Sequence, residues 1–432
     1  MNIFQESTER IRLAGALGNI NQALIDELCK GGEVIELKFQ AFTRKGKETF
    51  DGARVHQINS YQEGTPHPFK GGIRYTKYKT WQEMIDTTRT LATDMCLKIA
   101  LTGLPFGPAK GTLNIDPDEY VQWELESITR GLTVEMLRKN ILGADTDVPG
   151  PDYKTNAETM KWIYLEYGRL NTFMHHPNAA AVVTGKPVDF DGCPGRENAT
   201  ARGGLIVLNE LVKSLKNPRV GVQGYGNVGK NICELLSDPN NDLLNGTILA
   251  VSDKASGLYN SKGMDFKLLD AYYKTHQTFK GCALGKEIAP KKITSAVEYD
   301  VFFTAAKENL ITKHNAGALK TGVLAEVGNS AVTKEADEIL EANKVMVIPD
   351  ILANPGGVIV SFFEWRKNRG NILHTVDFNE ELNRVHKELR DILEGSTKEV
   401  LKVQQQLKTT LRMASCVYAL KELEKTIQKR NA

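Results

Sequence analysis

No two of the six cysteines (Cys29, Cys96, Cys193, Cys233, Cys282 and Cys416) stand at C-x-x-C spacing. That scatter argues against a disulfide framework and a zinc site, and it fits reduced thiols in a cytoplasmic protein. Charge of one sign is not in excess either. The formal net charge is +2, so no strong overall field points to nucleic acid or a membrane surface. Clusters such as Lys77–Lys79 read as solvated faces. No apolar run is long enough to span a bilayer. Residues 1–9 lack the basic flank and apolar core of a signal peptide, and there is no internal repeat or low-complexity segment. What remains is ordinary globular composition, 41% hydrophobic and 25% charged over 432 residues. That length suffices for two domains with separate cores.

Periodicity predicts helix over the first thirty residues. A hairpin of Val34–Arg44 and Val55–Tyr61 should follow, turning through Lys45–Asp51. Helices are expected over 81–100, 121–137 and 156–170, and Gly143–Lys154 reads as a turn-rich stretch. From Arg219 the pattern changes. Short buried strands at 219–223, 247–252, 300–304, 322–325 and 345–348 alternate with helical patterns, which implies a parallel sheet covered on both faces. Residues 379–429 read as helical throughout.

Gly224-Tyr225-Gly226-Asn227-Val228-Gly229 is a G-x-G-x-x-G sextet between a strand and a helix. Its glycines permit a tight turn and close approach to a pyrophosphate, and the helix start supplies oriented N–H groups. Asp253, ending the next strand, is placed to accept from the ribose hydroxyls of NAD, although a turn or helix-cap aspartate would look the same. Lys254 beside it would tolerate the 2′-phosphate of NADP, so NAD is preferred only weakly.

Two upstream segments combine glycine, proline and lysine: His67–Tyr75, carrying Lys70, and Gly103–Gly111, carrying Lys110. Lys98 lies near the end of an otherwise apolar helix, where it either snorkels or faces a buried anion. A solvated lysine is the ordinary alternative for each. Asp145 and Asp147 have no further ligand to complete a metal set, so no metal is expected.

Taken in order, these segments resemble the glutamate dehydrogenases of the wider glutamate, leucine, phenylalanine and valine dehydrogenase family. The resemblance covers nearly the full length. It rests on Pro68–Gly72, Leu104–Gly111, Asp147–Asp152, Thr184–Pro187, Gly195–Thr200, the sextet, and Asn354–Ser361 with Phe363-Glu364-Trp365. It implies an α/β fold of two domains with the active site in the cleft between them. Residues 1–184, rejoined by about 401–432, would form the substrate-binding and oligomerisation domain. Residues 185–400 would form a Rossmann dinucleotide domain with a helical C-terminal segment.

The implied activity is reversible oxidative deamination of L-glutamate to 2-oxoglutarate and ammonia with NAD or NADP, in a homohexamer. Another amino acid, or a non-catalytic nucleotide-binding relative, are the competing expectations. By resemblance Lys110 is the catalytic lysine and Asp147 the acid/base aspartate. Lys70 and Ser361 hold the distal carboxylate and Lys98 the α-carboxylate. Asn354, Gly357 and Val358 line the substrate pocket, and Thr200 and Asn329 lie near the nicotinamide. The pattern departs from the family at Pro108, Thr112, Gly150, Ala201, Val327–Asn329 and Pro355. A proline fixes φ and removes a donor, so Pro108 and Pro355 are expected to reshape the pocket.

Overall fold

The computed structural model describes residues 2–58, 67–171, 178–306, 308–370 and 377–431. Two compact units emerge. One comprises Met1–Arg196, Val358–His386 and Cys416–Ala432, and the other Glu197–Gly357 and Lys387–Ser415.

In the first unit, α1 (Ile3–Gly18) and α2 (Gln22–Lys30) replace the single helix expected. Asn19 adopts the left-handed conformation at φ 53° and ends α1, and the Asn21 side chain caps α2 through the Ala23 N–H. The hairpin pairs β1 (Glu33–Thr43) with β2 (Gly46–His56). The stretch 45–51 read as a turn is therefore mostly strand, and the turn is the two residues Arg44 and Lys45. The part of the expected partner strand beyond residue 58 lies outside the described residues. Leu37, Phe39, Ala41 and Thr43 alternate inward along β1, the ordinary signature of a half-buried strand.

The segments read as glycine-rich loops and turns are strands: β3 (Phe69–Tyr75), β4 (Gly107–Leu113) and β5 (Asp147–Pro151). The sheet order is β1-β2-β4-β3-β5, with β3 parallel to both neighbours. Nearly every residue of β3, β4 and β5 is buried, so no alternation exists to be read. Glycine is required in places: a Cβ on Gly71 would stand 1.5 Å from the Ala109 carbonyl oxygen. The helices α3 (Trp81–Thr102), α4 (Gln122–Arg138) and α5 (Ala157–Asn171) follow the expected spans closely. Ile128, Leu132, Met136, Met160 and Ile163 pack with Leu37, Phe39, Ile73 and Leu113 in this unit's core.

The second unit begins with α6 (Ala199–Leu211). Its seven-stranded sheet contains β6 (Arg219–Gln223), β7 (Thr247–Ser252), β8 (Gly257–Tyr259), β9 (Lys286–Ile288), β10 (Tyr299–Thr304), β11 (Thr321–Glu326) and β12 (Met346–Ile348). The order is β12-β11-β10-β6-β7-β8-β9, parallel from β12 to β7 and antiparallel beyond. The helices of this segment are α7 (Asn227–Ser237), α8 (Phe266–His276), α9 (Lys334–Ala342) and α10 (Asp350–Ala353). Since β6 is followed by β7 on one side and flanked by β10 on the other, the strand order reverses at the end of β6.

The chain ends in α11 (Gly356–Arg369), α12 (Phe378–Leu407) and α13 (Leu411–Asn431). The stretch 379–429 is thus two helices, broken where Lys408 takes φ 48°. Contacts divide the chain at Arg196/Glu197 instead of 184/185, and they return 358–386 and 416–432 to the first unit. The cause is visible in Glu364, which accepts from the Gly185 N–H at 2.8 Å and from Lys186 Nζ at 2.7 Å. Asn368 also donates to the Ala180 and Asp191 carbonyls. These bonds bind 180–191 to α11.

Candidate functional site

Neighbouring strands carry Lys70 (β3), Lys110 (β4) and Asp147 (β5), and all three side chains are buried. The Lys110 ammonium does not meet Asp147. It touches Asp152, just past β5, and Arg74 Nε donates to the other Asp152 oxygen at 2.9 Å. Burial works to raise the Asp152 carboxyl, but Lys110 and Arg74 outweigh it and hold the group well below the usual range. Lys110 is lowered, first by burial and then by the Arg74 and Lys98 charges, while Asp152 pulls it back up. A lysine so lowered, in contact with a carboxylate, can exchange a proton nearer neutrality than a free lysine. Lys98, on α3, is also buried.

Asp147 is wholly buried and saturated by β2. Arg54 binds it through both forks, Nε to Oδ2 at 2.8 Å and Nη2 to Oδ1 at 2.5 Å, and His56 Nε2 lies 2.7 Å from Oδ2. Burial alone would raise this carboxyl, but Arg54 and His56 hold it down.

Lys70 is only 2% exposed, and its ammonium makes no hydrogen bond or ion pair among the described residues. Its pKa is lowered well below the ordinary lysine value, first by burial and then by the Arg196 and Arg54 charges, with Glu364 and Asp147 opposing. Arg196 Nε donates to Ser361 Oγ at 3.2 Å. Arg196 thus acts on Lys70 through its charge and on Ser361 through a hydrogen bond. A Cβ on Gly150 would lie 2.9 Å from Lys70 Nζ and 3.4 Å from Thr184 Oγ1, a buried hydroxyl with no partner among the described residues. Val358, one turn before Ser361 on α11, is buried.

In the second unit the sextet is built as its motif requires. Gly224 has φ 102°, and a Cβ there would meet the Ala305 carbonyl oxygen at 2.7 Å. A Cβ on Gly229 would stand 1.9 Å from the Gly224 oxygen, whereas Gly226 faces open space. These residues fit a dinucleotide: the open side of Gly226 and the amides opening α7, including those of Asn227, Val228 and Gly229, could hold its pyrophosphate. The Asn227 side chain is committed to the Glu197 carbonyl at 2.9 Å.

Asp253 directly follows β7, and its carboxylate is turned inward. Oδ1 accepts from Ala255 and Ser256, and Oδ2 from Phe279, all backbone N–H groups. Lys254 is exposed. Thr200 lies in the first turn of α6. Asn354 Nδ2 donates to Asn329 Oδ1 at 3.1 Å and to the Val327 and Gly328 carbonyls. Asn354, expected in the substrate pocket, is thus tied to the loop of Asn329 in the nucleotide unit, to which Gly357 also belongs.

Sequence reasoning passed over Asp152, Arg74, Arg196, Arg54 and His56. Asp152 and Arg196 lay inside the quoted family segments, which was the available signal. Among the described residues no group of three or more His, Cys, Asp and Glu could hold a metal ion. No helix among them is long and apolar enough to cross a membrane.

Residues 192–431 match the family described as Glutamate/Leucine/Phenylalanine/Valine dehydrogenase. Residues 32–169 match the Glu/Leu/Phe/Val dehydrogenase dimerisation domain. Glutamate dehydrogenase of Thermotoga maritima is 33% identical, covering 99% of this chain and 98% of its own. NADP-specific glutamate dehydrogenase A1 of Halobacterium salinarum is 34% identical over 89% of each. NAD-specific glutamate dehydrogenase of Clostridioides difficile is 30% identical over 100% and 98%. Among solved structures, a hetero-hexameric glutamate dehydrogenase from Thermus thermophilus superposes with a TM-score of 0.87 at 26% identity, covering 100% of this chain and 97% of that one.

Proposed function

This chain belongs to the glutamate/leucine/phenylalanine/valine dehydrogenase family, NAD(P)-dependent amino-acid oxidoreductases, and within it we propose that its substrate is L-glutamate, deaminated reversibly to 2-oxoglutarate and ammonia. The observation that carries this is buried Lys70, whose ammonium has no partner among the described residues. The two carboxylates that act on Lys70, Asp147 and Glu364, are already paired with Arg54 and Lys186. Lys70 therefore lacks an anion of its own among the described residues, and the distal carboxylate of glutamate supplies it. A branched aliphatic side chain would leave the ammonium uncompensated, at a cost of several kcal/mol.

Lys110 and Asp152 form the proton relay, in place of the Lys110 and Asp147 pair expected from sequence. Bound NAD(P) supplies the hydride acceptor. The relay takes a proton from the substrate α-ammonium, and hydride then leaves Cα to give an iminium. Water adds to that carbon and gives up a proton to the relay. The nitrogen regains a proton from the relay and departs as ammonia, which takes up the proton that the carbinolamine hydroxyl releases as the carbonyl forms. Glutamate, water and oxidised cofactor thus yield 2-oxoglutarate, ammonium, reduced cofactor and one proton. Lys98 holds the α-carboxylate, Arg196 and Ser361 join Lys70 at the distal one, and Asn354 positions the loop of Asn329 toward the nicotinamide.

We place the enzyme in the cytoplasm as a homohexamer. The hexameric Thermus relative supports the assembly and the six free cysteines support the compartment. The deciding assay follows oxidation of NADH and of NADPH with ammonium and 2-oxoglutarate, 2-oxoisocaproate or oxaloacetate. Preference for 2-oxoglutarate is expected. Preference for 2-oxoisocaproate would overturn the substrate assignment.

A further inference from the structure

Asp147 is not spare. Its carboxylate joins two β2 side chains that grip the backbone on either side of Lys70. Arg54, wholly buried, donates through Nη1 to the carbonyls of Gly71 at 3.0 Å and Gly72 at 3.3 Å, directly after Lys70. The His56 ring lies flat on the Phe69 ring, directly before Lys70, with centroids 3.9 Å apart and planes 9° from parallel. Both side chains are oriented by Asp147, Arg54 through a bidentate pair and His56 through Nε2.

We propose that Arg54, His56 and Asp147 are positioning residues that clamp the segment Phe69–Gly72 and thereby fix the Lys70 ammonium at the distal end of the substrate. Such a device is needed because Lys70 has no hydrogen-bond or ion-pair partner among the described residues to hold it. An ammonium on a four-carbon stem otherwise spends its freedom on each binding event. Burying a carboxylate and a guanidinium with no access to substrate is costly, so this pair has to serve through the backbone it organises. The proposal rests on Lys70 meeting a substrate carboxylate.

The test uses the full-length enzyme and three variants, Asp147→Asn, Arg54→Lys and Lys70→Gln, with Asp147→Asn also combined with Lys70→Gln. In Asp147→Asn we expect KM for 2-oxoglutarate to rise on the order of tenfold, with kcat changed only a few-fold and KM for NADH and ammonium unchanged. Arg54→Lys keeps the charge but loses the fork, and should reproduce that split. In the Lys70→Gln background, Asp147→Asn should add little to KM, because both act on one interaction. Collapse of kcat at unchanged KM would make Asp147 a catalytic acid/base instead and overturn the clamp, as would additive losses in the double variant.

Amide hydrogen exchange of the peptide over 69–75 needs no substrate, so it tests the clamp even if 2-oxoglutarate proves inert and the substrate assignment fails. Exchange faster in that peptide, with 219–229 unchanged, supports the clamp. Unchanged exchange, or faster exchange throughout the chain, overturns it.

Discussion

The charged ends of Lys110 and Asp152 are in direct contact, and each side chain is only 7% exposed. The first is on β4 and the second follows β5, so the pair spans β3, the strand between them. Substituting Asp152 by Asn keeps the shape and removes the proton acceptor. Turnover with 2-oxoglutarate is expected to fall about 10²- to 10⁴-fold. The variant also loses the charge that raises Lys110. The residual activity should therefore rise with pH at a lower pH than in the wild type, because Lys110 deprotonates earlier. A pH profile of kcat/KM checks both, and near-normal turnover would return the acid/base role to another group.

Lys70→Leu should move preference from 2-oxoglutarate toward 2-oxoisocaproate. Removing one partner of a buried charge pair costs about 3–5 kcal/mol. The ratio of kcat/KM for the two oxo acids is the quantity to compare. A ratio that stays put while both rates fall would make Lys70 a structural lysine.

Gly150→Ala places a methyl 2.9 Å from Lys70 Nζ. The flexible end of Lys70 can yield, so the melting temperature should hardly change. The displaced ammonium should raise KM for 2-oxoglutarate roughly 3- to 10-fold, since misplacement of about an ångström is costly. Steady-state kinetics with a thermal melt separates this from a folding defect, which would lower both.

Asp253→Ser removes a carboxylate that accepts three backbone N–H bonds in the 253–279 region. The expected outcome is a similar loss of affinity for NAD and NADP with a lower melting temperature. Calorimetric titration of both cofactors decides it. A selective loss of NAD would mean that the carboxylate also reads the ribose.

In the second unit, wholly buried Glu326 touches Arg412, which also binds Asp337 with Nε to Oδ2 at 2.7 Å. Burial, aided by Asp350 and Asp337, pushes Glu326 from 4.5 up to about 7 against the pull of Arg412. Between those values the folded chain keeps a proton that the unfolded chain has released. Stability should therefore fall as pH rises through that window and level off above it, by on the order of 3 kcal/mol for this group. Glu326→Gln should flatten the change in melting temperature between about pH 5 and about pH 8. An unaltered slope would assign the dependence to other groups.

Local patterns account for what could be read in advance. The sextet needs only a strand, a turn and a helix start, all encoded within some twenty residues, and β6, β7 and α7 stand where periodicity put them. The helices α4 and α5 were legible because each buries mainly one face, whereas α3 is buried on every side from Thr90 to Ile99. The strands β3, β4 and β5 were not: buried along almost their whole length and built around glycine, they offer no alternation, and their lysines imitate loop lysines.

The sequence by itself determined the cofactor fold, the family and the segments that carry the charged residues, since those depend on residue order and local conformation. Only the tertiary structure decided which aspartate meets Lys110. Asp147 and Asp152 lie five residues apart in one segment, and nothing in that spacing favours either. The register of β5 against β3, where Asp147 stands opposite Phe69, sends the first to Arg54 and His56 and leaves the second to Lys110. Side-chain direction in a sheet is set by pairing with distant strands, and that information does not exist until the chain has folded.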